Sequence, residues 1–388
     1  MIARRARVAV CFSFALLGLV SGVWAARIPT VKASLQLGDG QLSLALLAVA
    51  VGLVTGMQVA GRLTDRLGSA RVVTPAGAAC SLAMIPAGFA PNLAVLIVVL
   101  FVWGLLNAFL DVSMNTHAVE VERAYGRPLM SSFHGMYSAG GLVGAAAGAL
   151  SAWLEVSPGV TFTVVTIPLA VLAVLARSSL LPSSPAHHER PPGRRVRWHG
   201  RVVFMGAMAF AGLLGEGSAG DWSAVYLHND LGAATGLAAI AFAAFSTAMT
   251  VGRFAGDRLA LRFGPVALVR ASGVLAAAGL GLALLLAEPA VAIAGFGLFG
   301  LGLATMVPQV FSAAGEHDPA RAGAAIAQVA TLGYAGLMLG PVIIGGVAEV
   351  VGLRLALAQV ATLGYAGLML GPVIIGGVAE VVGLRLAL

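Results

Sequence analysis

Apolar runs of about 20 residues, long enough to cross the hydrocarbon core of a bilayer as a helix, recur along almost the whole chain. In lipid a spanning segment must satisfy its own backbone N–H and C=O groups, so runs of this kind cross as helices. One stretch breaks the pattern: residues 177–201, RSSLLPSSPAHHERPPGRRVRWHGR, rich in proline and arginine and without apolar periodicity. It reads as an extended, solvated linker between two halves. With 59% hydrophobic and 10% charged residues, and a mean hydropathy of +0.95, the chain has room for roughly 10–14 helices. The expected fold is all-α and polytopic: a six-helix bundle over residues 1–180, a cytoplasmic linker over 181–201, and a second six-helix bundle over 202–388.

The formal charge of +7 invites a nucleic-acid reading, but the placement of the charges argues against one. With the N-terminus in the cytoplasm and the spans alternating, every basic residue falls on the cytoplasmic side except Arg27, Lys32 and Arg354. That is the positive-inside pattern, which sets orientation rather than a partner. Both termini are expected in the cytoplasm of a bacterial cell. Cys11 and Cys80 lie inside apolar spans, so no disulfide is implied. The first span follows Arg4, Arg5 and Arg7 as a signal peptide would, yet it is long enough to cross and many spans follow, so it is expected to be retained.

The pattern predicts spans near residues 8–26, 41–60, 72–89, 93–116, 129–150 and 160–176 in the first half. In the second half they fall near 202–220, 237–251, 266–287 and 290–312, with an eleventh after 315–323. The halves echo each other roughly half the chain apart. Asp65-Arg66 matches Asp257-Arg258, Gly140 and Gly144 match Gly336 and Gly340, and Gly104 before Asp111 matches Gly302 before Gln309. Such a repeat implies two bundles related by a pseudo-twofold, the architecture of a rocking transporter. A second repeat is exact: residues 327–357 recur letter for letter as 358–388. A perfect pair at the end of a chain reads as a recent tandem duplication, with the second copy taking the place of the twelfth span. Orientation rests on flanking charge, here only Arg354 and Arg385.

The run GRLTDRLGSAR at residues 61–71 resembles the signature loop of the major facilitator superfamily, matching at Gly61, Asp65, Arg66 and Gly68. It departs from the usual basic pair after the last glycine, having Ser69 and Ala70 before Arg71. LVSGVWAARIP (19–29), DVSMNTHAVEVER (111–123), SSFHGMYSAGG (131–141) and EGSAGDWSAVYL (216–227) narrow the resemblance to an uncharacterised bacterial branch close to the fucose–proton symporters. The resemblance covers residues 8 to about 352. It implies that Asp65 helps to latch the cytoplasmic ends of the two halves.

From the residues themselves, Asp65 can accept hydrogen bonds from a helix N-terminus and pair with Arg66. Asp257 and Arg258 are looser gating candidates. Asn107, Asp111 and Asn115, spaced by four, share one helical face. A carboxylate at the centre of a span costs about 2.5–3.5 kcal/mol on insertion scales and so faces a cavity or a partner. Burial favours the neutral form of a carboxyl, which suits a proton carrier. An acid on the fourth span also agrees with what the resemblance implies for proton-coupled sugar symporters. The competing reading puts Asp111 near the cytoplasmic end, simply solvated.

Glu216 is the second proton-coupling candidate, with Asp221 at the end of its span. His134, Tyr137, Gln309, Trp24 and Arg27 are candidates for contacting the solute. His134 reads equally as an interhelical hydrogen-bonding group, and Arg27 as a snorkelling residue. Gly140, Gly144, Gly148, Gly336 and Gly340 form small-x-x-x-small faces for close helix packing. No metal cluster, cofactor motif or nucleophile–base pair is present, so neither an enzyme nor an ATP-driven pump is indicated.

The chain is therefore expected to be a secondary transporter with a small-molecule substrate, protons and membrane lipid as its partners, acting as a monomer. Proton-coupled uptake of a small polar solute, sugar-like or a small metabolite, is the first reading. Drug or metabolite efflux, or a product disabled by the 3′ duplication, are the alternatives.

Overall fold

The computed structural model describes residues 2–182 and 199–359, and every regular element among them is helical. In order these are α1 (Ile2–Ser34), α2 (Asp39–Leu67), α3 (Ser69–Leu82), α4 (Leu93–Tyr125), α5 (Met130–Trp153) and α6 (Pro158–Leu175), then α7 (Gly200–Val225), α8 (Thr235–Phe263), α9 (Pro265–Leu286), α10 (Pro289–Leu303), α11 (Met306–His317) and α12 (Ala322–Val351). Among the described residues ten helical stretches are long and apolar enough to cross a membrane, α10 and α11 together making one of them. The 24-residue α5 is not among the ten. Gly135, Gly140, Gly141, Gly144 and Gly148 dilute its apolar character, and it packs that small-residue face on α1 instead.

Several helices outrun their expected ends. α1 continues through Pro29 to Ser34, α2 runs on to Leu67 and α4 to Tyr125. A helix at a membrane surface has no reason to stop at a polar residue, because stopping would release backbone groups that the helix already satisfies. It stops where the backbone is forced. The signature stretch is accordingly not a loop: α2 and α3 meet at the single residue Gly68, with φ 86° and ψ 142°. The corresponding joint between α8 and α9 is Gly264, with φ 79° and ψ 155°. A side chain is strained in that conformation, so glycine is required at both joints.

The joints belong to a repeat that the structure corrects in detail. A methyl group on Gly104 would strike the Val49 carbonyl oxygen, and one on Gly300 would strike that of Phe245. Both members of the pair are shifted by the same interval, so Gly104 corresponds to Gly300 and not to Gly302. The same interval carries Asp111 to Val307, so Gln309 is not its counterpart. One asymmetry stands out: α4 is continuous, whereas the equivalent span breaks between α10 and α11 at Ala304-Thr305. Pro308 explains the break, since it donates no N–H to the Ala304 carbonyl and its ring crowds that oxygen. Thr305 is held there through its hydroxyl, 2.8 Å from that of Ser272.

The described residues divide into two compact units: 2–182 with 312–328, and 199–311 with 329–359. Segment 312–328, expected in the second bundle, thus belongs with the first. Many outward-facing side chains are apolar, among them Val143 (59% exposed), Leu285 (76%) and Val350 (84%), as a lipid-facing surface requires. The first copy of the exact repeat forms most of α12. Gly352, with φ 85°, then turns the chain, and Arg354 donates to the Leu284 and Leu285 carbonyls (2.6 and 3.1 Å), capping α9. The second copy, and with it the expected twelfth span, lies outside the described residues beyond position 359.

Candidate functional site

In the first unit α4 brings Asp111 and Asn115 together one turn apart. Asp111 is 3% exposed and Asn115 is fully buried. The Asn115 Nδ2 donates to the Asp111 backbone carbonyl (2.9 Å) and to its Oδ1 (3.2 Å). Counted along the helix, Asp111 lies about 27 Å from Leu93 and about 21 Å from Tyr125, in the middle of α4. The solvated-end reading of Asp111 is therefore corrected: the helix is longer than the sequence indicated and the carboxyl is buried. The Asn115 Oδ1 is also buried and, among the described residues, has no hydrogen-bond partner. Asn107, two turns from Asn115, is half-buried.

On α5, His134 is 8% exposed and meets the Phe14 ring edge-on, with centroids 5.1 Å apart; Tyr137 is half-buried one turn later. Trp24, within the expected first span, and Arg27, just past its expected end, both lie inside α1. Trp24 is 5% exposed and packs with Trp103 and Phe162 at 6.4 and 6.1 Å. Arg27 is 1% exposed and donates to the Val156 carbonyl between α5 and α6. Both side chains are thus packed among the helices of the first unit.

In the second unit Glu216 on α7 does not stand alone. Its Oε2 accepts from Arg253 Nη2 on α8 at 3.0 Å, with the arginine side chain 6% exposed and the carboxylate 29% exposed. Arg253 was expected among the charges of a cytoplasmic turn; instead it sits about 15 Å back from the end of α8 and is buried. Asp221 is exposed, and Gln309 on α11 is buried. Asp257 is half-buried and Arg258 exposed further along α8.

Three groups gather at the ends of α2, α4 and α11. Asp65 accepts from the backbone N–H groups of Gly323 (2.8 Å) and Ala324 (3.1 Å), at the N-terminus of α12. Negative charge there is favoured both by the unsatisfied amides and by the helix dipole. Gly61 allows the approach: a Cβ on it would stand 2.7 Å from the Gly323 carbonyl oxygen. Arg66 is exposed and makes no ion pair with Asp65.

Sequence reasoning missed the neighbouring arrangement. The Glu122 Oε2 accepts from the Leu129 and Met130 amides (2.6 and 2.9 Å) at the start of α5, while its Oε1 accepts from the Ser312 hydroxyl. Arg123 donates to the Gly315 carbonyl at 2.8 Å. A buried histidine was also missed. His117 Nε2 accepts from the Leu181 amide (3.2 Å) at the start of the linker, and its Nδ1 lies 2.8 Å from Ser69 Oγ and 3.2 Å from Glu120 Oε2. Among the described residues no group of three His, Cys, Asp or Glu side chains is placed to hold a metal ion.

Comparison with known proteins agrees with this architecture. The family model of the Major Facilitator Superfamily matches residues 10–341. An uncharacterised MFS-type transporter of Yersinia pestis is 35% identical over 350 residues, covering 90% of this chain and 91% of the relative. The membrane protein MosC of Rhizobium meliloti is 31% identical, covering 89% and 84%. Among solved structures, the transporter FucP in its outward conformation superposes with a TM-score of 0.82 at 14% identity, covering 96% of this chain and 99% of that one. At that identity the likeness is one of fold. A buried, polar-studded bundle of long helices, a family match over most of the chain and relatives above 30% identity make one conclusion plain: this protein is a multi-pass membrane protein of the Major Facilitator Superfamily.

Proposed function

We propose that the chain takes up a small polar solute, sugar-like or a small metabolite, across the bacterial cytoplasmic membrane by alternating access, driven by protons. The observation that carries the reading is a pair of carboxyls inside membrane helices, Asp111 and Glu216, each held by a polar partner rather than left to the lipid. Intramembrane acids are costly, and where they occur they mark ion pathways and proton relays. Protonating Glu216 removes the counter-charge of Arg253. Protonating Asp111 turns a carboxylate that accepts from Asn115 into a group that also donates. Each event changes which groups must be satisfied, and so biases a two-state carrier.

Asp65 and the Glu122–Arg123 pair act as the cytoplasmic latch in this reading, since opening that side requires releasing the end of α11 and the start of α12. FucP is described as a fucose:proton symporter, which supports proton coupling by analogy of fold. The test uses the purified protein in proteoliposomes, with the solute first chosen by a thermal-shift screen over sugars and small acids. An inside-alkaline pH gradient should drive its accumulation and carry protons inward with it. Accumulation indifferent to the gradient would refute proton coupling, and export in exchange for protons would favour efflux.

A further inference from the structure

A cleft of about 640 Å³ lies between the first turns of α1 and the end of α6, away from Asp111 and its partners. Its floor is apolar. Val8 and Leu175 line it and are each 65% exposed; Leu172 lines it at 47% exposure, and Phe12 lines it as well. Its rim is cationic, because Arg4 and Arg5 border it and both are exposed. Ser179, just after α6, adds a hydroxyl at the same level.

Among the described residues the charges on this rim have no internal answer. Residues 2–38 contain no Asp or Glu, nor does any position from 158 to 179. Among the described residues no carboxylate lies within ion-pairing distance of Arg4 or Arg5. The third arginine of the cluster is engaged elsewhere, as Arg7 lies over the Tyr125 ring at 5.8 Å from its centroid. Two guanidiniums therefore border the cleft without a counter-ion among the described residues, beside a hydrocarbon-lined floor.

We propose that this cleft binds one anionic phospholipid, its phosphate on Arg4 and Arg5 and its acyl chains along Val8, Phe12, Leu172 and Leu175. The floor selects an amphiphile over a free anion, since inorganic phosphate would leave exposed apolar surface beside it. The rim selects an anionic headgroup over a zwitterionic one. Basic pockets between membrane helices on the cytoplasmic side are suited to such headgroups. From Arg5 to Phe12 the helix rises about 10 Å, enough to pass from headgroup level into the acyl region. Each arginine near an anionic headgroup contributes about a fivefold preference, so two give roughly thirtyfold over a zwitterionic lipid.

The test uses the full chain in neutral detergent, with phosphatidylglycerol, phosphatidylcholine of the same acyl chains, and inorganic phosphate as probes. Native mass spectrometry should show one phosphatidylglycerol retained per protein, and only that lipid should raise the midpoint of thermal unfolding markedly. The variant Arg4→Gln with Arg5→Gln should bind it roughly thirtyfold more weakly, whereas Arg4→Lys with Arg5→Lys keeps most of the preference. Because the arginines also set orientation, Val8→Glu provides a second route: it keeps both guanidiniums and supplies the counter-charge internally, so the preference should again be lost. Equal stabilisation by phosphatidylcholine or by phosphate would overturn the proposal. So would full phosphatidylglycerol preference in the Gln pair or in Val8→Glu.

Discussion

Arg253 and Glu216 face each other across α7 and α8 at 3.0 Å, two opposite charges on helices long and apolar enough to cross a membrane. A guanidinium that is 6% exposed cannot be left without a partner cheaply, so the two residues act as a unit. Glu216→Gln keeps the shape and removes the charge. It should lower stability by about 2 kcal/mol, the worth of a charged hydrogen bond, and abolish proton-driven accumulation. Arg253→Gln made in the same chain should restore much of that stability, because the buried charge goes with it. The thermal midpoints of the single and double variants, compared as a cycle, check this. Additive losses would mean the two side chains do not interact.

The Asp65 carboxylate caps α12 through two amides, and Asp65→Asn keeps the size while removing the charge. A cap of this kind is worth about 1 kcal/mol, so the population with α12 released should rise about fivefold. Hydrogen exchange at the Gly323 and Ala324 amides reads that population directly. Unchanged exchange would remove Asp65 from the latch.

Glu122 serves two helices at once, and Ser312→Ala isolates one of its roles. The variant should leave α5 capped and cost only the one orphaned carboxylate oxygen, about 1 kcal/mol, while speeding exchange in the last turn of α11. Glu122→Ala should do both kinds of damage, fraying the Leu129 and Met130 amides as well, at a cost of about 1–3 kcal/mol for the orphaned groups. Identical behaviour of the two variants would contradict the division of labour.

The glycine pairing across the repeat makes a symmetric prediction. Gly104→Ala and Gly300→Ala each force a methyl into a carbonyl oxygen of the neighbouring helix and should each cost about 1–3 kcal/mol. Gly281→Ala, where no heavy atom lies within 4 Å, should be neutral or slightly stabilising, by about 0.5 kcal/mol. Folded yield and thermal midpoint separate the two classes. Tolerance at Gly104 would mean that α2 and α4 are not packed as described.

The sequence made the membrane helices, the two-part repeat and the family legible, because length, hydropathy and glycine spacing act locally. It placed Asp65 where a helix N-terminus could use it, but could not say that α12 would supply that terminus. Arg253 was misplaced for an instructive reason. Charges near a basic turn are normally topogenic, and nothing local to α8 reveals a glutamate on α7. Arg27 fell just past the expected end of the first span at residue 26, yet α1 runs on through Pro29 to Ser34. Gly302 was taken for the mate of Gly104 because counting residues to the next polar side chain cannot see which glycine faces a carbonyl. Pro308 was a visible signal for the break in the tenth span. Glu122 carried none, since its partner Ser312 is remote in sequence.

Proton movement at Asp111 as the driver of transport can be read by comparing two modes of flux in proteoliposomes bearing Asp111→Asn. Exchange of labelled for unlabelled solute at equal pH needs only the conformational cycle, whereas accumulation against a gradient needs the proton. The variant is expected to keep exchange within a few fold of the parent and to lose pH-driven accumulation and the accompanying proton uptake. If Asp111→Asn still accumulates solute in response to the pH gradient as the parent does, the buried carboxyl of α4 is not the coupling group.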